Sequence, residues 1–171
     1  MPLLRRRRRP RLPSDVRARL DVPAGDGVVA SAQLTDGWAV ATRRALHLAR
    51  DGAPVQRRPW SDVDRASLDP GTATLSVVWV DGGSDDLHLA HDEPRGLPEV
   101  LRERVQSSVV HSEPVTLRDG RRIRVALRRD EDGGLLTQVI GDGRVDLSDP
   151  DVARLVDAAE ARVREAAGLP L

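Results

Sequence analysis

Turn signals recur so closely between residues 25 and 93 that no long helix fits among them. "AGDG", "TDG", "DGAP", "DPGT" and "DGGSDD" break this part of the chain into short runs. Glycine, proline and aspartate at such spacing mark tight connections. The runs between them are small, apolar or β-branched: "VVASAQL" (28–34), "WAVAT" (38–42), "ALHLAR" (45–50), "VQRRPW" (55–60), "VDRASL" (63–68), "ATLSVVWV" (73–80) and "LHLAH" (87–91). Seven short strands with short connections predict an antiparallel sandwich or barrel.

The period then changes. In "LPEVLRERVQSSVVHS" the residues Leu97, Leu101, Val105 and Val109 fall four apart, and Pro98 suits a first turn. This predicts an amphipathic helix over 97–110, ended by Pro114. Three further strands are expected at 114–118, 122–128 and 135–140, with "DG" at 119–120 as a hairpin turn. "SDPDVARLVDAAEARVREAAG" predicts a helix over 149–167. Ser148 or Asp149 would cap it, Pro150 fits its first turn, and Gly168 stops it. The fold class expected is therefore α+β: a seven-stranded antiparallel barrel capped by a helix, then a three-stranded meander and a helix. The last two should pack as one unit on the barrel, because a lone three-stranded sheet needs its apolar face covered. The organisation expected is a basic disordered tail over 1–24, the barrel with its capping helix over 25–112, and the appended unit over 113–171.

Composition narrows the chemistry. The chain has three Trp but no Phe or Tyr, so its core is built from Leu, Val and Ala. It has no Cys, which excludes disulfides, thiolate zinc sites and cysteine nucleophiles. Every basic residue among its 27 is arginine, which excludes Schiff-base lysine chemistry and a Walker-type lysine. No glycine-rich phosphate loop follows a strand and opens a helix. Net charge is zero, yet residues 1–22 carry eight arginines against Asp15 and Asp21. No apolar run approaches the roughly 18 residues of a membrane span, and no apolar stretch follows the first arginines as in a signal peptide. A cytoplasmic location is expected.

The run Arg5, Arg6, Arg7, Arg8 and Arg9, beside Pro10 and Pro13, should be extended and solvated. It could contact an anionic membrane, at about 1 kcal/mol per basic residue near the surface, or nucleic acid phosphates. The plainer reading is a leader without a role. It holds no aromatic residue to stack on bases, and no specific nucleic acid is expected. Further arginine pairs, Arg43 with Arg44, Arg57 with Arg58, Arg121 with Arg122 and Arg128 with Arg129, recur at strand ends and hairpins. Arg43, Arg44, Arg57 and Arg58 form a candidate rim for docking an acidic partner. Against that, charged edges also discourage strand-to-strand aggregation.

Three stretches resemble the pleckstrin-homology-like barrel, in particular its bacterial and actinobacterial branch. "AVATRRALHL" (39–48) looks like that branch's hairpin, "RRPWSDVDRASL" (57–68) like its turn into the fifth strand, and "EPRGLPEVLRERVQSSVV" (93–110) like its capping helix. The resemblance covers roughly residues 28–112. Family members that bind phosphoinositides carry basic residues around the first loop, but "QLTDGWAV" (33–40) holds Asp36 and no arginine, so that ligand does not carry over. The helix also lacks the tryptophan of the eukaryotic domain.

Catalytic constellations are weak. Asp62 and Asp64 could be read as a carboxylate pair; a strand, a turn and a strand, with Trp60 in the core and Asp62 as turn chemistry, explain them better. His88, His91 and Asp92 suggest a metal, but strand residues three apart point to opposite faces. Ser107 and Ser108 stand near His111 on the expected helix, without a nucleophile elbow or an orienting acid. The loop at 142–151 lacks a bidentate glutamate for calcium, since Ala153 stands at its twelfth position. No cofactor or metal is expected, nor catalysis. The function expected is a non-catalytic binding or scaffolding module for a protein partner. The alternative is a peripheral binder of anionic membrane assisted by the arginine run, with a hydrolase third.

Overall fold

The structure is a computed structural model, and it describes residues 11–90, 96–141 and 145–169. It is α+β, with ten strands in three antiparallel sheets and three helices. The first sheet runs in order through β1 (Val28–Leu34), β2 (Gly37–Thr42), β3 (Ala45–Arg50) and β4 (Gln56–Pro59). A 3-10 turn at Trp60–Asp62 leads to the second sheet: β5 (Val63–Asp69), β6 (Thr74–Trp79) and β7 (Ser84–His88). Helix α2 (Leu97–Ser108) follows. The third sheet has the order β10-β9-β8, from β8 (Val109–Thr116), β9 (Arg122–Arg129) and β10 (Leu135–Gly141), and α3 (Pro150–Ala166) closes the described chain.

Sheets one and two share one core with α2. Ala39, Ala41, Leu46 and Leu48 meet Leu75, Val77, Trp79 and Leu87, with Leu97, Leu101 and Val105 over them. Each buried Leu or Val contributes about 1.5–3 kcal/mol relative to exposure. Backbone pairing links the two sheets where Leu34 pairs with Leu89, Thr35 N donates to His88 O (2.9 Å) and Ala90 N donates to Gln33 O (2.9 Å). The seven expected strands are thus present as a four-stranded and a three-stranded sheet, and neither closes into a barrel. Between β4 and β5 the turn at Trp60–Asp62 interrupts strand pairing.

The β2–β3 contact fixes Gly37. Its φ is +144°, and a Cβ there would lie 2.3 Å from the Ala49 carbonyl oxygen. Only glycine fits both the conformation and the approach.

The outer face of sheet one corrects the expected tail. Residues 1–24 were expected to be disordered, but α1 (Ser14–Arg19) lies on Trp38, Val40 and Ala49 through Val16 and Leu20. Arg19 Nη2 pins it by donating to the Arg50 and Ala53 carbonyls, both at 2.9 Å. The arginine run 5–9 lies outside the described residues.

In sheet three the alternation on β9 sets two faces. Ile123, Val125 and Leu127 pack on Val156, Ala159 and Val163 of α3, while Arg124 and Arg128 turn toward the first two sheets. Asp149 caps α3, accepting from Asp151 N at 2.8 Å, and Arg162 holds Glu113 of β8 with Nε at 2.8 and 2.9 Å from its two oxygens. Two boundaries differ from expectation. The helix stops at Ser108 and β8 begins at once, so Pro114 sits within an edge strand, where its missing N–H is tolerated. Strand β7 starts at Ser84 because Asp85 and Asp86 have partners there: Asp85 accepts from Trp79 Nε1 (2.8 Å) and Asp86 from Ser76 Oγ (2.6 Å). No described helix is long and apolar enough to cross a membrane.

Candidate functional site

The third sheet meets the first two along a polar seam, and the site grows from that seam. At its centre Arg128 is 1% exposed. Its Nη2 donates to the Trp60 carbonyl at 3.0 Å and to Ser108 Oγ at 2.5 Å, and its Nε lies 3.2 Å from the same hydroxyl. Burial pulls its pKa below the usual value, and the negative charge of Asp64 opposes that. At one end of the seam Arg124 pairs with Asp64, whose side chain is 4% exposed and also takes Arg65 at 3.1 Å. At the other end the acidic β9–β10 hairpin reaches the first sheet: Glu131 pairs with Arg57, and Asp132 with Arg44 at 3.1 Å.

These contacts answer for much of the arginine rim. Arg57 is taken up by Glu131. Arg58 pairs with Asp81 at 3.1 Å, lies 3.8 Å from Asp62, and sits 5.1 Å over the Trp79 ring. Three of the four rim arginines, Arg44, Arg57 and Arg58, thus pair with acids of their own chain. Trp60 is buried, and its Nε1 donates to the Thr42 carbonyl at 3.1 Å.

Beside the hairpin a cleft of about 140 Å³ remains open. Arg43 and Arg44 from the β2–β3 turn, Arg104 from α2 and Arg129 from the end of β9 all line it. The acids there are Asp130 and Glu131, and both are engaged. Asp130 Oδ1 accepts from Asp132 N (2.9 Å) and Gly134 N (2.7 Å), which shapes the hairpin, and Glu131 holds Arg57. The Arg43 guanidinium reaches the Gly25 carbonyl, at 3.5 Å, and the Arg129 guanidinium has no partner among the described residues. The Nε of Arg104 is shut off from solvent without an acceptor. Ser61, 5% exposed, brings a hydroxyl to the same cleft. The arrangement is an excess of guanidinium donors around a small space, and its chemistry is recognition of an anion.

The other candidates are not brought together. His111 lies on β8 and is exposed, so the helical spacing expected between it and Ser107 or Ser108 does not exist. Ser108 Oγ donates to the Val105 carbonyl at 2.7 Å while accepting from Arg128, and Ser107 Oγ donates to the Arg104 carbonyl at 3.0 Å. His88 Nδ1 lies 3.1 Å from Thr74 Oγ1; His91 and Asp92 are outside the described residues. Of the loop at 142–151, residues 142–144 are also outside. Asp146 there accepts from Ser148 N (2.9 Å) and Ser148 Oγ (2.6 Å), and those bonds hold its carboxyl below the usual range. Among the described residues no group of three or more His, Asp or Glu is placed to hold a metal ion.

Sequence reasoning missed Arg104 and the buried role of Arg128. Arg104 reads as one more polar residue on a solvated helix face. For Arg128 a signal existed: in "RIRVALR" arginines at 122, 124 and 128 share one strand face, opposite Ile123, Val125 and Leu127. A second set of buried polar groups lies behind sheet one, where His47 (0% exposed) and Asp26 (7% exposed) make no hydrogen bond from either ring nitrogen or either carboxylate oxygen.

Set beside known proteins, the chain matches no protein-family model, and no curated protein or solved structure is significantly similar to it.

Proposed function

We propose that this chain is a non-catalytic binding module that docks an anionic segment of a protein partner in the junction cleft. The observation that carries this is the charge imbalance there. Four guanidinium groups line the cleft, and its two carboxylates already have partners within the chain. Charged groups so arranged speed encounter and fix the orientation of a partner. The first two sheets and α2 are proposed as a unit of the pleckstrin-homology-like type. Four strands, then three, then a helix, with the ends of β1 and β7 joined at Leu34 and Leu89, support that reading. The arginine run 5–9 plays no part in it, and the protein works in the cytoplasm.

The test is affinity capture from cell lysate on full-length protein, beside the double variant Arg43→Glu/Arg129→Glu and a version lacking residues 1–10. Bound proteins and lipids are both identified, at low and moderate salt. The expected outcome is a protein retained by the wild type and the shortened form and lost by the double variant. Recovery of anionic lipid alone, at low salt and only with residues 5–9 present, would overturn the proposal in favour of membrane binding.

A further inference from the structure

We infer that the group the junction cleft receives is a phosphate monoester, carried on a phosphorylated side chain of the partner. This rests on the reading of the cleft as a protein-docking site and names the chemistry that it selects. Shape is the first reason. The cleft is a small, partly open space into which Arg43, Arg44, Arg104, Arg129 and Ser61 converge, and it suits one compact group at the end of a side chain.

Charge is the second reason. A carboxylate brings one negative charge, and the cleft already has carboxylates tethered at its edge in Glu131 and Asp132. Tethering gives those groups a high effective concentration, so a partner's Asp or Glu gains little by competing with them. A phosphate monoester brings about −1.5 to −2 charges and three acceptor oxygens, and so suits several guanidinium forks at once. The donors stand ready. The Arg129 guanidinium has no partner among the described residues, Arg104 lines the cleft, and the Ser61 hydroxyl adds a neutral donor.

The same hairpin argues against a lipid surface. Asp130, Glu131 and Asp132 border the cleft, and a flat anionic membrane would meet all three carboxylates. A single phosphate on a flexible peptide enters without meeting them.

The experiment follows the arginine Nε–Hε signals of the full-length protein by NMR during titration with N-acetyl-O-phosphoserine amide. N-acetyl-aspartate amide, inorganic sulfate, and vesicles of phosphatidylcholine with phosphatidylserine are the comparison arms, at matched ionic strength. The phosphoserine derivative is expected to shift the signals of Arg104 and Arg129 saturably and to bind about tenfold or more tightly than the aspartate derivative. Arg129→Gln should weaken it about tenfold, and Arg104→Lys, which keeps the charge but loses the fork, should weaken it as well. Unchanged near-ultraviolet tryptophan signals would show that both variants are folded. Equal binding of the two amino-acid derivatives, equal binding by the variants, or shifts of these arginines by vesicles alone would each overturn the inference. A protein captured by the wild type, lost with Arg129→Glu, and still captured after phosphatase treatment would overturn it while leaving the docking module standing. Tight binding of the phosphoserine derivative with no protein ever captured would instead remove the docking module.

Discussion

Arg128 carries the seam between the two parts of the chain in one side chain. Its guanidinium is fully enclosed and joins the Trp60 carbonyl to the Ser108 hydroxyl. A hydrogen bond to a charged group contributes about 1.5–3 kcal/mol. Arg128→Ala is therefore expected to lower unfolding stability by about 2–4 kcal/mol in urea titration. Arg128→Lys should recover little, because an ammonium cannot span both acceptors as the planar fork does. Full recovery by lysine would mean that charge alone matters here. His47 poses a different single-residue question. Burial holds its pKa below 6.5, the nearby Arg57 pushes it the same way, and Asp26 opposes them. With the folded pKa below the unfolded one, the unfolded chain takes up a proton first as pH falls. Stability from this group is complete above about pH 6.5 and is lost below it, until the folded form protonates too. The carboxyls of Asp69, Asp81, Glu113 and Asp146 are also depressed, but their loss falls lower, around and below pH 4. Unfolding free energy measured from pH 7.5 to 5 should thus fall for the wild type and stay flatter for His47→Leu. Equal slopes would show that His47 does not set this dependence.

Among the elements, those bounded by turn chemistry were legible and those made by tertiary contact were not. β1 and α3 match their expected limits closely, because "TDG" follows the one and Asp149 with Pro150 opens the other. α1 left no such mark. Its six residues are too few to show a period, and a helix that short forms only against a surface. That surface is Trp38, Val40 and Ala49, which the sequence places on a strand without saying what covers them. The end of α2 was hidden for another reason: Val109 continues the four-residue spacing of Leu97, Leu101 and Val105, yet it starts β8. The cleft was half legible. Arg43 and Arg44 were visible as a turn pair, but Arg104 reaches the same place only because α2 lies against the 3-10 turn. Leu20, 3% exposed, tests the value of α1. Leu20→Ala is expected to cost about 2–3 kcal/mol, toward the low end for a buried leucine at the edge of a core, and to expose Trp38 to a fluorescence quencher. A cost below about 0.5 kcal/mol, the level of ordinary surface changes, would mean that α1 is only loosely placed.

At the scale of the molecule, the question is whether the two parts unfold as one. Their shared surface is polar: the buried Asp64 with Arg124, Arg128 with Trp60 and Ser108, and the hairpin acids with Arg44 and Arg57. The exposed hairpin pairs contribute little, at about 0–1 kcal/mol each. The enclosed groups matter more: without Arg128 the buried Trp60 carbonyl and Ser108 hydroxyl lose their donor, at about 1–3 kcal/mol, and without the enclosed Asp64 both Arg124 and Arg65 lose their acceptor. All three tryptophans, at positions 38, 60 and 79, belong to the first two sheets and the turn between them, so their fluorescence reports mainly on that part. The 17-residue α3 dominates the helical signal of the other part. In the wild type the fluorescence and far-ultraviolet transitions are expected to coincide, the mark of one cooperative unit. In Asp64→Ala/Arg128→Ala, which cuts both enclosed links, the two transitions should separate, with one part melting at lower denaturant. The arginine-lined cleft spans the same seam, so on the proposed docking role the separated variant should also lose the phosphoserine derivative before either part unfolds. Coincident transitions in that variant would place the coupling elsewhere, in the direct passage from α2 into β8 at Ser108 and Val109.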